Sequence, residues 1–379
     1  MLDKLNKIFE IIEENHLDFY FNHSKEEFEE FKKEALSKFK LEDDYDLLYV
    51  CNYIIKRMVN ENDGHTIVRY SDFLYLGVLP RIINNKMYIY KAVEAIKNYL
   101  YDEILEINGV NINTIIDEVR DRCLYQTEGF REANVEKNMM DVSVLRSLPS
   151  IDNKTDEFIF KVNHNGEVKE IKIPYGRVGF RNYKHYEDKD RMHIIYSLCR
   201  EFKPNQMINM INEIKNIAGI NYYIVDLRGN TGGNSGITEP LLEFLKDKKI
   251  IVLIDKYVYS AGRLACYDLR NLGAIFIGTD IGSPLNCFGN CPPIEFEKFY
   301  VQPSNAYYTY YDSVGDLETK EKFEEFLKRD DYKKIMEPRY FHPDIYVEES
   351  IDALREGRDV YLEKAYEYID SLENKKKLG

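Results

Sequence analysis

The sequence predicts a multi-domain α/β protein with a helical N-terminal part, a short β-rich segment and a long C-terminal core. Three observations predict it. Apolar residues in the first sixty positions recur at helical spacing. Residues 67 to 122 switch to short β-type runs. From about residue 205, buried strands alternate with amphipathic helices, the pattern of a largely parallel sheet with right-handed crossovers. With 379 residues the chain exceeds one ordinary core and suits two or three domains. Its 44% hydrophobic and 31% charged residues mark a folded chain rather than a disordered one.

The N-terminal part reads as three helices. Ser24-Lys-Glu-Glu27 is a capping-box pattern, in which each side chain satisfies the other's free backbone N–H. Phe28, Phe31, Leu36 and Phe39 follow on one face. Leu47, Leu48, Cys51, Ile54, Ile55, Met58 and Val59 then keep the helical period until turn formers gather at Asn62-Asp63-Gly64. Beyond this stop come TIVRY, FLYLGVL and MYIY as strand-like runs, a helix-like KAVEAIKNYL, and EILEINGV as a strand closed by an Asn-Gly turn. Residues 126–150 read as polar and irregular, and 157–173 as a β-hairpin around Asn165-Gly166.

In the C-terminal core a helix carries Met207, Ile208, Ile211, Ile214 and Ile217 and ends at Gly219. The strand Tyr222-Tyr-Ile-Val-Asp226, a Gly-rich loop, a helix near 237–246 and the strand 250–255 follow. A helix from Ser260, a strand at 274–278 and an amphipathic helix near 358–372 complete the core.

A formal net charge of -14 disfavours nucleic acid and anionic membrane surfaces as partners. The N-terminal MLDKLNKIFEIIEEN carries acids throughout and lacks the pattern of a secretory signal, so a cytoplasmic, reducing location is expected. The six cysteines are then expected as free thiols. Cys287 and Cys291 stand four apart with no C-x-x-C or histidine-rich partner, so neither a metal nor a cofactor is expected. The oligomeric state is not legible.

In parallel sheets, reactive groups belong at the carboxyl ends of strands. Three segments stand there. Asp226-Leu-Arg228-Gly-Asn230-Thr-Gly232-Gly233 follows a buried strand; its backbone N–H groups suit a developing oxyanion, although for the loop alone a tight strand-to-helix turn is the better reading. Tyr259-Ser260-Ala261-Gly262 opens a helix; Ser260 is either an N-cap or an exposed nucleophile, with the Ala261 N–H beside it. Gly278–Gly289 is a long loop able to wall a cleft. A serine nucleophile needs a base. His65 stands out because Asp63-Gly64-His65-Thr66 is a sharp turn leaving a helix, whereas His16, His23, His164, His185, His193 and His342 lie in less specific contexts.

Together and in this order, DLRGNTGG, YSAGR and GTDIG resemble the tail-specific, C-terminal-processing serine peptidases. The DGHT turn at 63–66 and Glu337-Pro-Arg-Tyr-Phe-His-Pro343-Asp344 resemble the branch that includes the tricorn core protease. The resemblance implies a PDZ-like domain and a crotonase/Clp-like α/β catalytic core. The implied domains are 1–66, helical and carrying the base; 67–125, PDZ-like; and 126–379, the core with a hairpin lead-in and a C-terminal helix. It also implies a Ser260–His65–Glu337 arrangement, with an oxyanion hole from Ala261 and Gly232 or Gly233, acting on peptides or unfolded protein tails. The loop 278–289 contains no lysine, so the Ser–Lys variant of the family is not implied. Arg263 stands where the family commonly has glutamate, and Thr231 interrupts the glycine run. A peptide-binding homologue without turnover and a crotonase-like acyl-thioester enzyme are the alternative readings.

Overall fold

Helices form where the apolar spacing predicts them, at Leu2–Asn15, Lys25–Lys38 and Asp44–Met58. The capping box is complete: the Ser24 amide donates to Glu27 at 2.7 Å and the Glu27 amide donates to Ser24 Oγ at 3.2 Å. The third helix is buried on nearly every side, because Tyr49, Val50 and Tyr53 are covered along with its predicted face. The computed structural model describes residues 1–59, 62–179, 183–309 and 314–378. The chain divides into two compact units, Met1–Val178 with Pro284–Arg339, and Gly179–Ser283 with Tyr340–Gly379.

The first unit contains the three helices, a six-stranded sheet and smaller sheets. Five of its strands run in the order Val78–Ile83, Lys86–Ala92, Glu103–Ile107, Phe158–His164, Glu167–Ile173, and the short strand Val110–Asn111 pairs with Glu103–Ile107. The hairpin 157–173 therefore completes the sheet of the segment before it instead of leading into the α/β core. Its turn uses Asn165 at φ 53° and Gly166 at φ 87°, and the Asn108-Gly109 turn repeats the same left-handed pair. KAVEAIKNYL becomes only a short 3-10 segment, Glu94–Tyr99, with a non-helical residue at Ile96.

Residues 126–150 are not irregular but form the helices Glu128–Asn138 and Val142–Ser147, capped by Thr127 and Asp141. Their apolar stripe was interrupted by Glu136, whose carboxylate is buried and accepts the Ile82 amide at 2.7 Å. A charged residue buried for a backbone bond breaks the period that sequence reading relies on.

The second unit is a six-stranded sheet in the order Ile345–Tyr346, Ile275–Gly278, Lys249–Ile254, Tyr222–Asp226, Arg191–Ile195, Lys184–Asp188. All pairings are parallel except the last. The hairpin of the last two strands was not read from the sequence. Helices cover both faces, so the period of two sorts side chains between two cores. Tyr222, Ile224, Ile251, Leu253 and Ile277 pack with Tyr361, Ala365 and Ile369 of the C-terminal helix Val360–Leu378. Tyr223, Val225, Val252, Ile254 and Phe276 pack with Met207, Met210, Leu241 and Ala265 from helices Gln206–Ile214, Glu239–Leu245 and Ala261–Asn271. The first of these helices stops at Ile214, short of the predicted Gly219, where the chain turns at φ 84°.

Candidate active site

Two adjacent strands of the parallel sheet, Tyr222–Asp226 and Lys249–Ile254, end side by side in register, Asp226 opposite Leu253. Ser260 follows the second and opens the helix Ala261–Asn271. Its backbone has φ 52° and ψ -124°, and its side chain makes no capping bond. An N-cap residue takes extended dihedrals and its oxygen accepts an N–H of the first turn; Ser260 does neither, so the capping reading fails. A non-glycine residue in this region costs of order 1–3 kcal/mol and persists only when its surroundings impose it. Those surroundings are visible. The Arg263 amide donates to Ser260 O and the Gly262 amide to Tyr259 O, both at 2.9 Å, while the Tyr259 amide donates to Asn230 O at 2.9 Å.

The loop after Asp226 explains its own residues. Asn230 is fully buried; its side-chain amide donates to Tyr196 O at 2.9 Å, and its Oδ1 accepts the Gly232 amide at 3.0 Å. A Cβ on Gly232, at φ 92°, would lie 2.7 Å from Ser260 Cβ and 2.8 Å from Ala261 N. A Cβ on Gly233, at φ 134°, would lie 2.2 Å from Cys199 O. The glycines thus let the loop backbone lie directly against the serine turn. The Cys199 amide donates to Gly232 O at 3.0 Å and the Asn234 amide to Cys199 O at 2.8 Å, which pins the loop. Of the predicted oxyanion donors, the Gly232 N–H is engaged by Asn230, whereas those of Gly233 and Ala261 donate to no other group among the described residues.

The Asp-x-Arg part of the motif is a clamp. Arg228 bonds Asp226 through Nε at 2.9 Å and Nη2 at 2.6 Å, and reaches Asp359 with Nη1 at 2.8 Å and Nη2 at 2.7 Å. Asp359 in turn accepts the amides of Tyr361 and Leu362 at the start of the C-terminal helix, both at 3.1 Å. Burial alone would raise the Asp226 pKa, but the charge and bonds of Arg228 and the hydrogen bond with His193 hold it well below the usual carboxylate range.

His65 lies in the first unit on a turn tied to Asp63, whose carboxylate is 1% exposed. Asp63 Oδ1 accepts the His65 amide at 2.8 Å, the Thr66 amide at 3.0 Å and Ser304 Oγ at 2.9 Å. Its Oδ2 accepts His16 Nε2 at 2.9 Å and the Thr66 hydroxyl at 2.5 Å. Burial pushes this carboxyl up, and the bonds from His16, Thr66 and the His65 amide more than reverse the effect, leaving it far below its ordinary value. His16, set aside in the sequence as unspecific, is therefore the buried partner of the turn; nothing local in the sequence signals it, because forty-seven positions separate it from Asp63. The imidazole of His65 lies beside Gly289, where a Cβ would come within 3.5 Å of its Cε1.

Glu337, also in the first unit, ends the short helix Tyr332–Met336. Its backbone carbonyl accepts Asn286 Nδ2 at 3.0 Å. Its carboxylate is exposed and makes no hydrogen bond or ion pair among the described residues, His65 included. Arg263 is buried within the helix that Ser260 opens. All six cysteines are free thiols, and the described residues contain no group of three or more metal-ligating side chains.

No protein-family model matches the chain, and no curated protein matches it significantly. Solved structures do. Mature CPAF complexed with lactacystin aligns with a TM-score of 0.61 at 11% identity, over 99% of this chain and 98% of that one. Mature CPAF aligns with a TM-score of 0.57 at 10% identity, over 93% of each chain. The photosystem II D1 C-terminal processing protease aligns more loosely, with a TM-score of 0.47 at 10% identity, over 91% of this chain and 92% of that one. The structural neighbours are of the tail-specific, C-terminal-processing peptidase type, the resemblance that the motifs implied. At these identities the likeness is one of fold.

Proposed function

We propose that the chain is a serine peptidase that cleaves peptides or unfolded protein tails through an acyl-enzyme at Ser260. The observation that carries this reading is the backbone of Ser260, held at φ 52° and ψ -124° with its hydroxyl unused as a cap. Strain of this kind at a strand-to-helix turn presents a serine Oγ for attack in hydrolases built on parallel sheets. The motif resemblance and the fold of the structural neighbours support the same reading.

In the mechanism, His65 removes the Ser260 proton as Oγ attacks the carbonyl, then returns it to the leaving amine. Glu337 holds the imidazole tautomer and stabilises the imidazolium. The Ala261 and Gly233 amides receive the oxyanion, each worth roughly 10²–10³ in turnover; Gly232 joins them only by releasing Asn230. We read the six-stranded sheet of the first unit as the PDZ-like part, which captures an extended chain end at a sheet edge, and the largely parallel sheet of the second as the crotonase-like core. A cytoplasmic location belongs to the same reading.

The exposed Glu337 carboxylate favours a second reading, a peptide-binding homologue that does not turn over. A fluorophosphonate probe separates the two. Labelling of the wild type that disappears in both Ser260→Ala and His65→Ala supports the peptidase; an unlabelled wild type that still binds peptides supports the homologue. Labelling that persists in Ser260→Ala removes Ser260 as nucleophile.

A further inference from the structure

The carboxylate of Asp63 has about four lone-pair sites and receives five donors, one of them the His65 backbone. Two more are the amide and hydroxyl of Thr66 in the same turn, and the last two, His16 Nε2 and Ser304 Oγ, come from elements far apart in the chain. Ser304 also donates its amide to Thr66 Oγ1 at 3.0 Å, and its carbonyl accepts the Leu17 amide at 2.9 Å. The Asp18 amide donates to His16 Nδ1 at 3.0 Å. That bond assigns the tautomer: Nδ1 is the acceptor, so the proton of a neutral imidazole sits on Nε2 and points at Asp63. The ring is held between Phe19 and Phe288, at centroid distances of 5.8 Å and 5.3 Å, and the Phe288 amide donates to Asn62 O at 2.7 Å. The side chains of His16, Thr66 and Ser304 all donate to Asp63, their common acceptor.

We propose that His16, through Asp63, is a positioning residue for His65: the end of the first helix sets the backbone from which the catalytic base projects. This rests on the peptidase reading for its consequence in turnover, although the positioning itself does not. A base displaced by about 1 Å loses on the order of 10²-fold in rate without any change in substrate contacts. His16 would then act on kcat and leave KM alone, whereas a residue needed only for folding would change stability and not the rate of the folded fraction.

The test measures the fluorophosphonate labelling rate of Ser260, kcat and KM on a peptide substrate, and the ¹⁵N resonances of the His65 imidazole in the full chain. His16→Leu is expected to lower the labelling rate and kcat about 10- to 100-fold at unchanged KM and to move the His65 resonances. His16→Gln, which keeps a donor near the place of Nε2, is expected to recover to within about threefold. A His16→Leu protein with wild-type rates and unmoved His65 resonances overturns the proposal. If His16→Leu does not fold, Ser304→Ala decides, because it removes a donor from the oxygen that holds the His65 amide: a lower rate with moved resonances supports positioning, and wild-type values overturn it. A wild type that never labels ends the peptidase reading, and the His65 resonances of the variants still judge the positioning.

Discussion

Ser260 is held in a conformation that a side chain disfavours, and glycine would adopt it freely. Ser260→Gly should therefore stabilise the protein by about 1 kcal/mol while abolishing probe labelling. Urea unfolding checks this, and a destabilised glycine variant would contradict the account of the turn. At this scale the sequence singled out the position but not its backbone. YSAG reads as a helix start, and an N-cap serine has the same letters. What removes the capping reading is a pair of dihedrals imposed by Asn230 and Gly232, thirty and twenty-eight positions upstream.

The loop Asp226–Gly233 joins two kinds of work in eight residues. Its glycines and Asn230 shape the turn at Ser260, while Arg228 ties the end of the central strand to the C-terminal helix through Asp359. Arg228→Met would leave Asp226 buried without its guanidinium, held by His193 and the backbone amide of residue 228, at a cost of roughly 3 kcal/mol. The urea midpoint reports the loss; a change below about 0.5 kcal/mol would mean that solvent already screens the pair. The sequence showed the motif but not this second role, because Asp359 lies 131 residues from Arg228. The same limit concealed the helices 128–138 and 142–147. Glu136 sits where the stripe of the first should be apolar, and its bond to the Ile82 amide, from a distant strand, accounts for its burial.

At the scale of the whole molecule, two buried carboxylates contribute to the response to acid. Asp63 and Asp226 are both held below their ordinary range in the folded state. A carboxyl with a depressed folded pKa contributes stability that is fully present above its unfolded value, about 3.9, and is lost as pH falls through the folded value. Stability from these two groups should be flat between pH 8 and 6. It should decline below about pH 4, by at most about 1.4 kcal/mol per pH unit for each proton taken up on unfolding. Urea midpoints measured from pH 7 to 3 test this, and a midpoint that rises on acidification would contradict it. The Asp63 contribution should vanish from the slope in Asp63→Asn, a variant that also places a donor amid five donors and is correspondingly unstable.

Alone, the sequence determined the local elements whose signals lie within a few residues: the capped helices of the N-terminal part, the Asn-Gly turns, the alternation of strand and helix, and the glycines that allow close approach. Periodicity, capping and left-handed turns are short-range physics, legible one segment at a time. The tertiary structure decided which face of each strand meets which helix, which sheet receives the hairpin 157–173, that Ser260 is strained rather than capping, and that His16 and Ser304 converge on Asp63. Those outcomes depend on burial and on hydrogen bonds between distant residues, where the cost of an unsatisfied buried polar group selects a single partner from the whole chain.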